Sequence, residues 1–333
     1  MQPTPGADPR APIAVIGAGI AGLACARQLQ AAGRTVEVFE CAAQPGGRVA
    51  TWRADDGTQC DHGAQYFTAH TPDFLAVLAD LEKTGCIARW HPRLAAIDTT
   101  GPRAVHDATV RYVGCPDMAA LPRHLAESLK LHLNLRVEAC HHDGAHWTLT
   151  AAGVPQPKRY SSLLLALPAP QAAALIAASA PTFAAHARDC PMHACWALIA
   201  RHEDDPGVGF DAAFVNAGPL SWIARDSSKP QRPAGHTWLL HAPATPALDA
   251  QPPEVIARTL LAAFGEYTHA TPAVAWTLHR WAYAHDTGNL STGALWDAQR
   301  RLGLAGDWLH AGRVEGAWLS GTQLARAVLA PST

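Results

Sequence analysis

Gly17-Ala18-Gly19-Ile20-Ala21-Gly22 follows directly on the apolar run Ile13-Ala14-Val15-Ile16, and 18 residues beyond its last glycine Glu40 closes a second run, Val36-Glu37-Val38-Phe39. Strand, glycine turn, helix and acid-terminated strand in this order make a βαβ unit that binds a dinucleotide. The glycines permit a tight turn, close approach of backbone N–H groups to a pyrophosphate and close packing of helix on strand, and the helix N-terminus adds positive potential. Ala18, Ile20 and Ala21 complete the turn, and Glu40 is placed to accept from a ribose hydroxyl.

With 333 residues and 48% hydrophobic content the chain builds one large or two smaller domains and is not disordered. Its 26 basic and 28 acidic residues leave a net charge of −2 with no basic block, which argues against a nucleic-acid partner. Eight cysteines lack any CxxC pair and read as ordinary buried thiols in a reducing compartment. The eighteen histidines form no metal-ligand or Ser-His-Asp pattern. Arg10 to Cys25 imitates a secretion signal, but the glycine spacing accounts for the same residues, and cleavage there would remove the phosphate-binding turn. Ser161 to Pro181 is the longest apolar stretch; Pro168, Pro170 and Gln171 interrupt it, so it reads as a buried strand and a helix and not as a membrane span. These features predict a soluble, cytoplasmic protein, monomeric or homodimeric.

The pattern predicts a disordered tail over 1–10, then a helix Ile20–Ala32 and a strand Thr35–Glu40. A double-glycine loop, Gln44-Pro45-Gly46-Gly47-Arg48, then replaces the next crossover of a nicotinamide dehydrogenase, with Arg48 adding charge at the pyrophosphate. Further on, helices are expected over Pro72–Thr84, Leu121–Leu129, Gln171–Ala178 and near Pro253–Phe264, and strands over Leu133–Val137, Trp147–Thr150 and Leu163–Leu167. Cys190 to Tyr283 reads as strand-rich.

The C-terminal part returns to nucleotide-binding texture. Leu302-Gly303-Leu304-Ala305-Gly306-Asp307 is a strand ending where a ribityl or phosphate group can be held, and Glu315, Gly316 and Ala317 open a helix against which a flat ring can lie. Two nucleotide-type sites at opposite ends of the chain fit one long ligand, and FAD has that shape.

These residues resemble the flavoprotein amine oxidase superfamily and, within it, the renalase family, particularly its bacterial members, from about Pro12 to Leu329. The specific segments are Asp61-His62-Gly63-Ala64-Gln65-Tyr66-Phe67-Thr68, Tyr112-Val113-Gly114, Leu167-Pro168-Ala169-Pro170-Gln171, Arg225-Asp226-Ser227-Ser228-Lys229-Pro230, Thr237 to Ala242, His279-Arg280-Trp281 and Arg313 to Gly321. The resemblance implies an α/β fold with amine oxidase or p-hydroxybenzoate hydroxylase-like topology. A discontinuous Rossmann-type FAD domain would comprise 11–68, 114–180 and 296–330, and a mixed-sheet substrate domain 69–113 and 181–295. It implies FAD contacts at Gly17, Gly19, Gly22, Glu40, Gly46, Gly47, Arg48, Gly63, Ala64, Gln65, Val137, Gly306, Asp307, Glu315, Gly316 and Ala317. It further implies oxidation of isomeric, misreduced NAD(P)H, the hydride passing to FAD and then to O2 with release of hydrogen peroxide.

Two departures from the amine oxidases matter. Trp308 to Trp318 contains no cysteine, so the FAD is expected to be noncovalent, and Lys229, in a polar loop, is no obvious counterpart of their active-site lysine. Gln65, Tyr66, Trp222, His241, Arg280 and Trp281 are the expected substrate-side residues, with Tyr283 a further member of an aromatic wall. His241 reads equally as a structural histidine; Arg225, Lys229 and Arg280 as phosphate contacts or as solvated or acid-paired groups; Trp196 and Trp276 as core. A small-amine oxidase or desaturase of the same superfamily is the alternative enzyme, and a non-catalytic flavin-binding protein the alternative of another class.

Overall fold

The computed structural model describes residues 11–269, 271–286 and 291–331, so the tail expected to be disordered lies outside the described residues. The chain divides into two compact units, Met1–Gly47 with Leu121–Met192 and His285–Thr333, and Arg48–Ala120 with His193–Ala284. The first crossing comes at Gly47 instead of 68. The reason is a hairpin, Thr51–Arg53 against Gln59–Asp61, whose Trp52 and Cys60 pack on Ala197, Ile199 and Leu239 of the second unit's sheet.

The first unit is built on a six-stranded sheet in the order Leu295–Asp297, Leu302–Leu304, Ser162–Leu165, Ile13–Ile16, Val36–Phe39, Lys130–His132. Its pairings are parallel except for the edge strand Leu295–Asp297. Strands such as Ile13-Ala14-Val15-Ile16 are apolar throughout because parallel strands are covered on both faces. Helices Ile20–Ala31 and Arg313–Leu329 pack on one another.

The strand expected over Leu133–Val137 is instead a turn between Lys130–His132 and Val137–His142. Asn134 takes a left-handed conformation with φ +54°, and the N–H groups of Asn134 and Leu135 donate to Ala42 and Glu40 carbonyls. That diverts the chain out of the ladder despite its apolar alternation.

The second unit holds a seven-stranded mixed sheet, ordered Ala275–Asp286, Met192–His202, His236–Pro243, Trp222–Arg225, Ala212–Val215, Leu94–Asp98, Gly101–Val105. Helix Pro253–Thr268 covers one face, where Ile256, Ala257, Leu260 and Phe264 meet Leu198, Ala200, Ile223, Trp238 and Leu240. Because strand side chains alternate, Trp222, Leu239, His241 and Trp281 stand on the opposite face.

Among the described residues no helix is long and apolar enough to cross a membrane, and no group of three or more His, Cys, Asp or Glu could hold a metal ion. All eight cysteines are free, and Cys41 is exposed, contrary to the expectation of buried thiols. Trp276, expected in the core, is 39% exposed.

Candidate active site

In the first unit, the two nucleotide-type segments from opposite chain ends leave the same sheet edge. Ile16 pairs with Leu165, and Leu165 with Leu304, all in parallel, so Gly17 and Ala305 step off together two strand spacings apart, roughly 10 Å. The carboxyl edge of a parallel sheet is where such folds bind ligands.

Gly17 has φ +102°, and a Cβ there would lie 2.4 Å from the Ala166 carbonyl oxygen. A Cβ on Gly22 would lie 2.0 Å from the Gly17 oxygen, so the helix can start this close to the turn only with glycine. Gly19, by contrast, faces open space. That opening lies against the first turn of helix Ile20–Ala31, whose N–H groups have no acceptor within the helix. Gly46 N–H donates to the Ala18 carbonyl at 2.9 Å, bringing the double-glycine loop alongside. Glu40 is buried at its strand end and accepts from Ala18 N at 2.9 Å and Ala42 N at 2.8 Å, which fixes its carboxylate beside the turn. Val137, half-buried, begins the strand beyond the Asn134 turn.

At the other segment, Gly306 N–H donates to Ser320 Oγ at 2.9 Å, and the Asp307 carbonyl accepts from His310 and Gly312. A Cβ on Gly316 would meet the His310 oxygen at 2.2 Å, so this loop folds tightly onto the first turn of Arg313–Leu329, where Glu315 is buried. Ala317 follows in the same turn.

In the second unit, the segment Asp61–Tyr66 is held by a buried ionic knot. Asp61 is fully buried and accepts from Thr51 Oγ1, Met118 N, Lys229 Nζ (3.0 Å) and Arg232 (2.6 and 3.1 Å). Lys229 also donates to Asp226 Oδ1 at 3.2 Å and Gln65 Oε1 at 3.2 Å. Burial pushes these groups toward neutrality, but Lys229 and Arg232 hold Asp61 down at about 2, and Asp61 and Asp226 keep Lys229 above the ordinary lysine value, while burial and the neighbouring Asp61 raise Asp226 above the ordinary carboxylate value. The polar loop around Lys229 is therefore interior. Of the readings open for this lysine, phosphate contact, solvated or acid-paired, the structure shows the last, with a partner, Asp61, that lies 168 residues away.

Gln65 spends its amide on the same segment: Nε2 donates to the Asp61 and Gly63 carbonyls at 2.5 and 3.1 Å. With Oε1 taken by Lys229, it clamps the loop. Gly63 sits against Arg48, where a Cβ would meet the Arg48 oxygen at 2.0 Å, and Ala64 N–H donates to that same oxygen. Arg48 itself donates to the Ala284 carbonyl at 3.0 Å.

Four of the six expected substrate-side residues, Tyr66, Trp222, His241 and Trp281, gather about this loop and the sheet face it packs on, while Gln65 is buried within the loop with its amide spent there. The His62 carbonyl accepts from His241 Nε2 at 3.1 Å and Trp281 Nε1 at 2.9 Å. The Tyr66 ring lies 5.6 Å from Trp222, with Phe214 edge-on to Trp222 at 4.9 Å. Arg280 does not join them. It alternates to the helix-covered face, pairs with Asp249 at 2.5 Å and lies over Trp196. Arg225 is likewise paired, with Asp211 at 2.6 Å. Two further groups were missed: His62, within 5.0 Å of both the His279 and Trp281 rings, and Arg111, over the Tyr66 ring at 5.2 Å.

Burial lowers His62, helped by His279 and His241, and lowers His241, each to about 4. His241 is therefore neutral and donates from Nε2. In the unfolded chain both imidazoles titrate near the ordinary 6.5. Between those values the unfolded chain binds protons that the fold does not, so this stability is complete above about pH 6.5 and is lost as pH falls toward 4. The expected loss is on the order of 1 kcal/mol per pH unit for each imidazole. Urea unfolding at pH 6 and pH 5 checks this, and His241→Gln should flatten the slope; an unchanged slope would show that His241 does not stay neutral.

Residues 104–329 match the model of flavin containing amine oxidoreductases, and 15–81 that of NAD(P)-binding Rossmann-like domains. The chain belongs to the flavin-containing amine oxidoreductase family. FAD is its cofactor, and the glycine cradle, the fixed Glu40 and the paired edge loops of the first unit fit it. Among curated relatives, the 15-cis-phytoene desaturase of Synechococcus elongatus is 39% identical over 69 residues, and the putrescine oxidase of Kocuria rosea 43% over 70. Each stretch is 21% of this chain, and they span only 15% and 14% of those relatives' lengths.

Solved structures align almost throughout. A protein from Exiguobacterium sp. 255-15 proposed to be a protoporphyrinogen oxidase has a TM-score of 0.74 at 14% identity, covering 97% of this chain and 99% of that one. Cyclohexylamine oxidase from Brevibacterium oxydans has 0.73 at 15%, covering 96% and 99%. Putrescine oxidase bound to putrescine has 0.71 at 14%, covering 96% and 99%. At these identities the likeness is one of fold.

Proposed function

We propose that this family member is a renalase-like oxidase: it takes a hydride from isomeric dihydronicotinamide dinucleotides and passes the electrons to O2, giving NAD(P)+ and hydrogen peroxide. When bound, noncovalently since Trp308 to Trp318 offers no cysteine, FAD supplies the hydride acceptor and the route to O2. The chain's own residues have a modest task. A misreduced nicotinamide already carries a labile hydride, so the site must align a flat ring and exclude water, with little acid–base chemistry.

The observation that carries this reading is the commitment of Lys229. Its three N–H groups are spent on Asp61, Asp226 and Gln65, and the second unit's other lysine, Lys83, pairs with Asp80 at the surface. Neither is left to assist amine chemistry, whereas Tyr66, Trp222 and Phe214 offer ring surfaces. Glu40 and the Gly17–Gly22 turn would hold the ADP portion of FAD, and the N-terminus of Arg313–Leu329 would favour negative charge developing on the ring system.

The second reading, a small-amine oxidase, is favoured by the fold shared with putrescine and cyclohexylamine oxidases. Anaerobic stopped-flow mixing of the FAD-loaded protein separates the two. Borohydride-reduced NAD, a mixture of dihydropyridine isomers, should bleach the flavin at least tenfold faster than β-NADH or any amine of a primary and secondary panel. Air should restore the yellow with peroxide release. Faster bleaching by an amine overturns the reading in favour of the second, and no bleaching by any donor points to a flavin-binding protein without catalysis.

A further inference from the structure

Most of the chain's buried indoles have acceptors. Trp90 donates to the Ser228 carbonyl, Trp147 to Arg300, Trp281 to His62 and Trp308 to Leu167. Trp222 and Trp238 have none among the described residues. Trp238 lies in the closed core beneath helix Pro253–Thr268, against Phe210 and Phe264. Trp222 is only 7% exposed but stands on the other face, between Tyr66 and the part-exposed Phe214.

A buried N–H without an acceptor is unfavourable, so an orphan on this face calls for a partner that the chain does not supply. A second orphan donor flanks the same aromatic group. Arg111, 6% exposed, places its guanidinium over Tyr66; its Nη atoms bind Asp107 and the Thr109 carbonyl, while Nε has no acceptor among the described residues. Two unpartnered donors beside the rings suit an acceptor.

We infer that Trp222 is a specificity-determining residue whose indole N–H binds the carboxamide oxygen of a nicotinamide ring, in substrate and oxidised product alike, under the reading above, on which this assignment rests. The ring lies among Tyr66, Trp222 and Phe214, and the carbonyl relieves the orphan.

The test uses the FAD-loaded protein labelled with 15N-tryptophan, the Trp222 indole resonance being the one missing from Trp222→Phe. NAD+ should move that resonance downfield to saturation. Thionicotinamide adenine dinucleotide, whose sulfur is a poor acceptor, should move it far less. Trp222→Phe should weaken NAD+ binding about tenfold while leaving the affinity for the thio analogue within twofold of the parent. NAD+ that binds without moving the Trp222 resonance, does not bind, or binds Trp222→Phe as tightly as the parent overturns the inference. The function reading fails separately: a Trp222 shift with no flavin bleaching by dihydropyridines would leave this contact standing and remove the oxidase.

Discussion

Lys229→Met is expected to destabilise the protein by about 3–5 kcal/mol, the usual penalty for leaving a buried carboxylate without its cation. Methionine fills similar volume, so cavity formation contributes little. Asp61 would retain Arg232, but Asp226 would lose its ammonium, and Gln65 Oε1 its donor. Adding Asp226→Asn should recover much of the loss, since the amide oxygen can still accept from Asp61 N without a charge to bury. Urea unfolding of the single and double variants measures both. A cost under about 1 kcal/mol for Lys229→Met would mean that the knot is solvated in solution.

Glu40→Ala should weaken FAD binding by one to two orders of magnitude, since hydrogen bonds to a charged group contribute about 1.5–3 kcal/mol. Two effects would combine: loss of the proposed ribose acceptor, and loss of the anchor that holds Ala18 and Ala42 N–H groups at 2.9 and 2.8 Å. Flavin fluorescence during titration of the stripped protein gives the dissociation constant, and circular dichroism checks that the fold persists. An unchanged constant would make Glu40 a turn anchor alone.

The βαβ unit could be read directly because its determinants sit within 28 residues of chain, Ile13 to Glu40, where periodicity and glycine spacing report on local geometry. The C-terminal Gly306–Asp307 segment was legible for the same reason. Lys229 was not. Arg225-Asp226-Ser227-Ser228-Lys229-Pro230 is polar at every position, and only the arrival of Asp61 and Gln65 from another part of the chain makes it interior. Arg280 misled in the opposite way: its neighbour Trp281 faces the Asp61–Tyr66 loop, and strand alternation sends Arg280 to the other side. Trp276 illustrates a third limit, since large apolar side chains on a long strand such as Ala275–Asp286 are not bound to face inward.

The strand Leu302–Leu304 lies directly beside Ser162–Leu165 in the first unit's sheet, yet the whole of His193–Ala284 is synthesised between them. On the ribosome, Ser162–Leu165 therefore presents an unsatisfied hydrogen-bonding edge for roughly seven to thirty seconds before its neighbour emerges. Such an edge invites pairing with a neighbouring nascent chain. Chaperone demand and inclusion-body formation should accordingly track elongation rate and truncation before Leu302, and a fragment ending near Ala284 would aggregate however well its second unit folds.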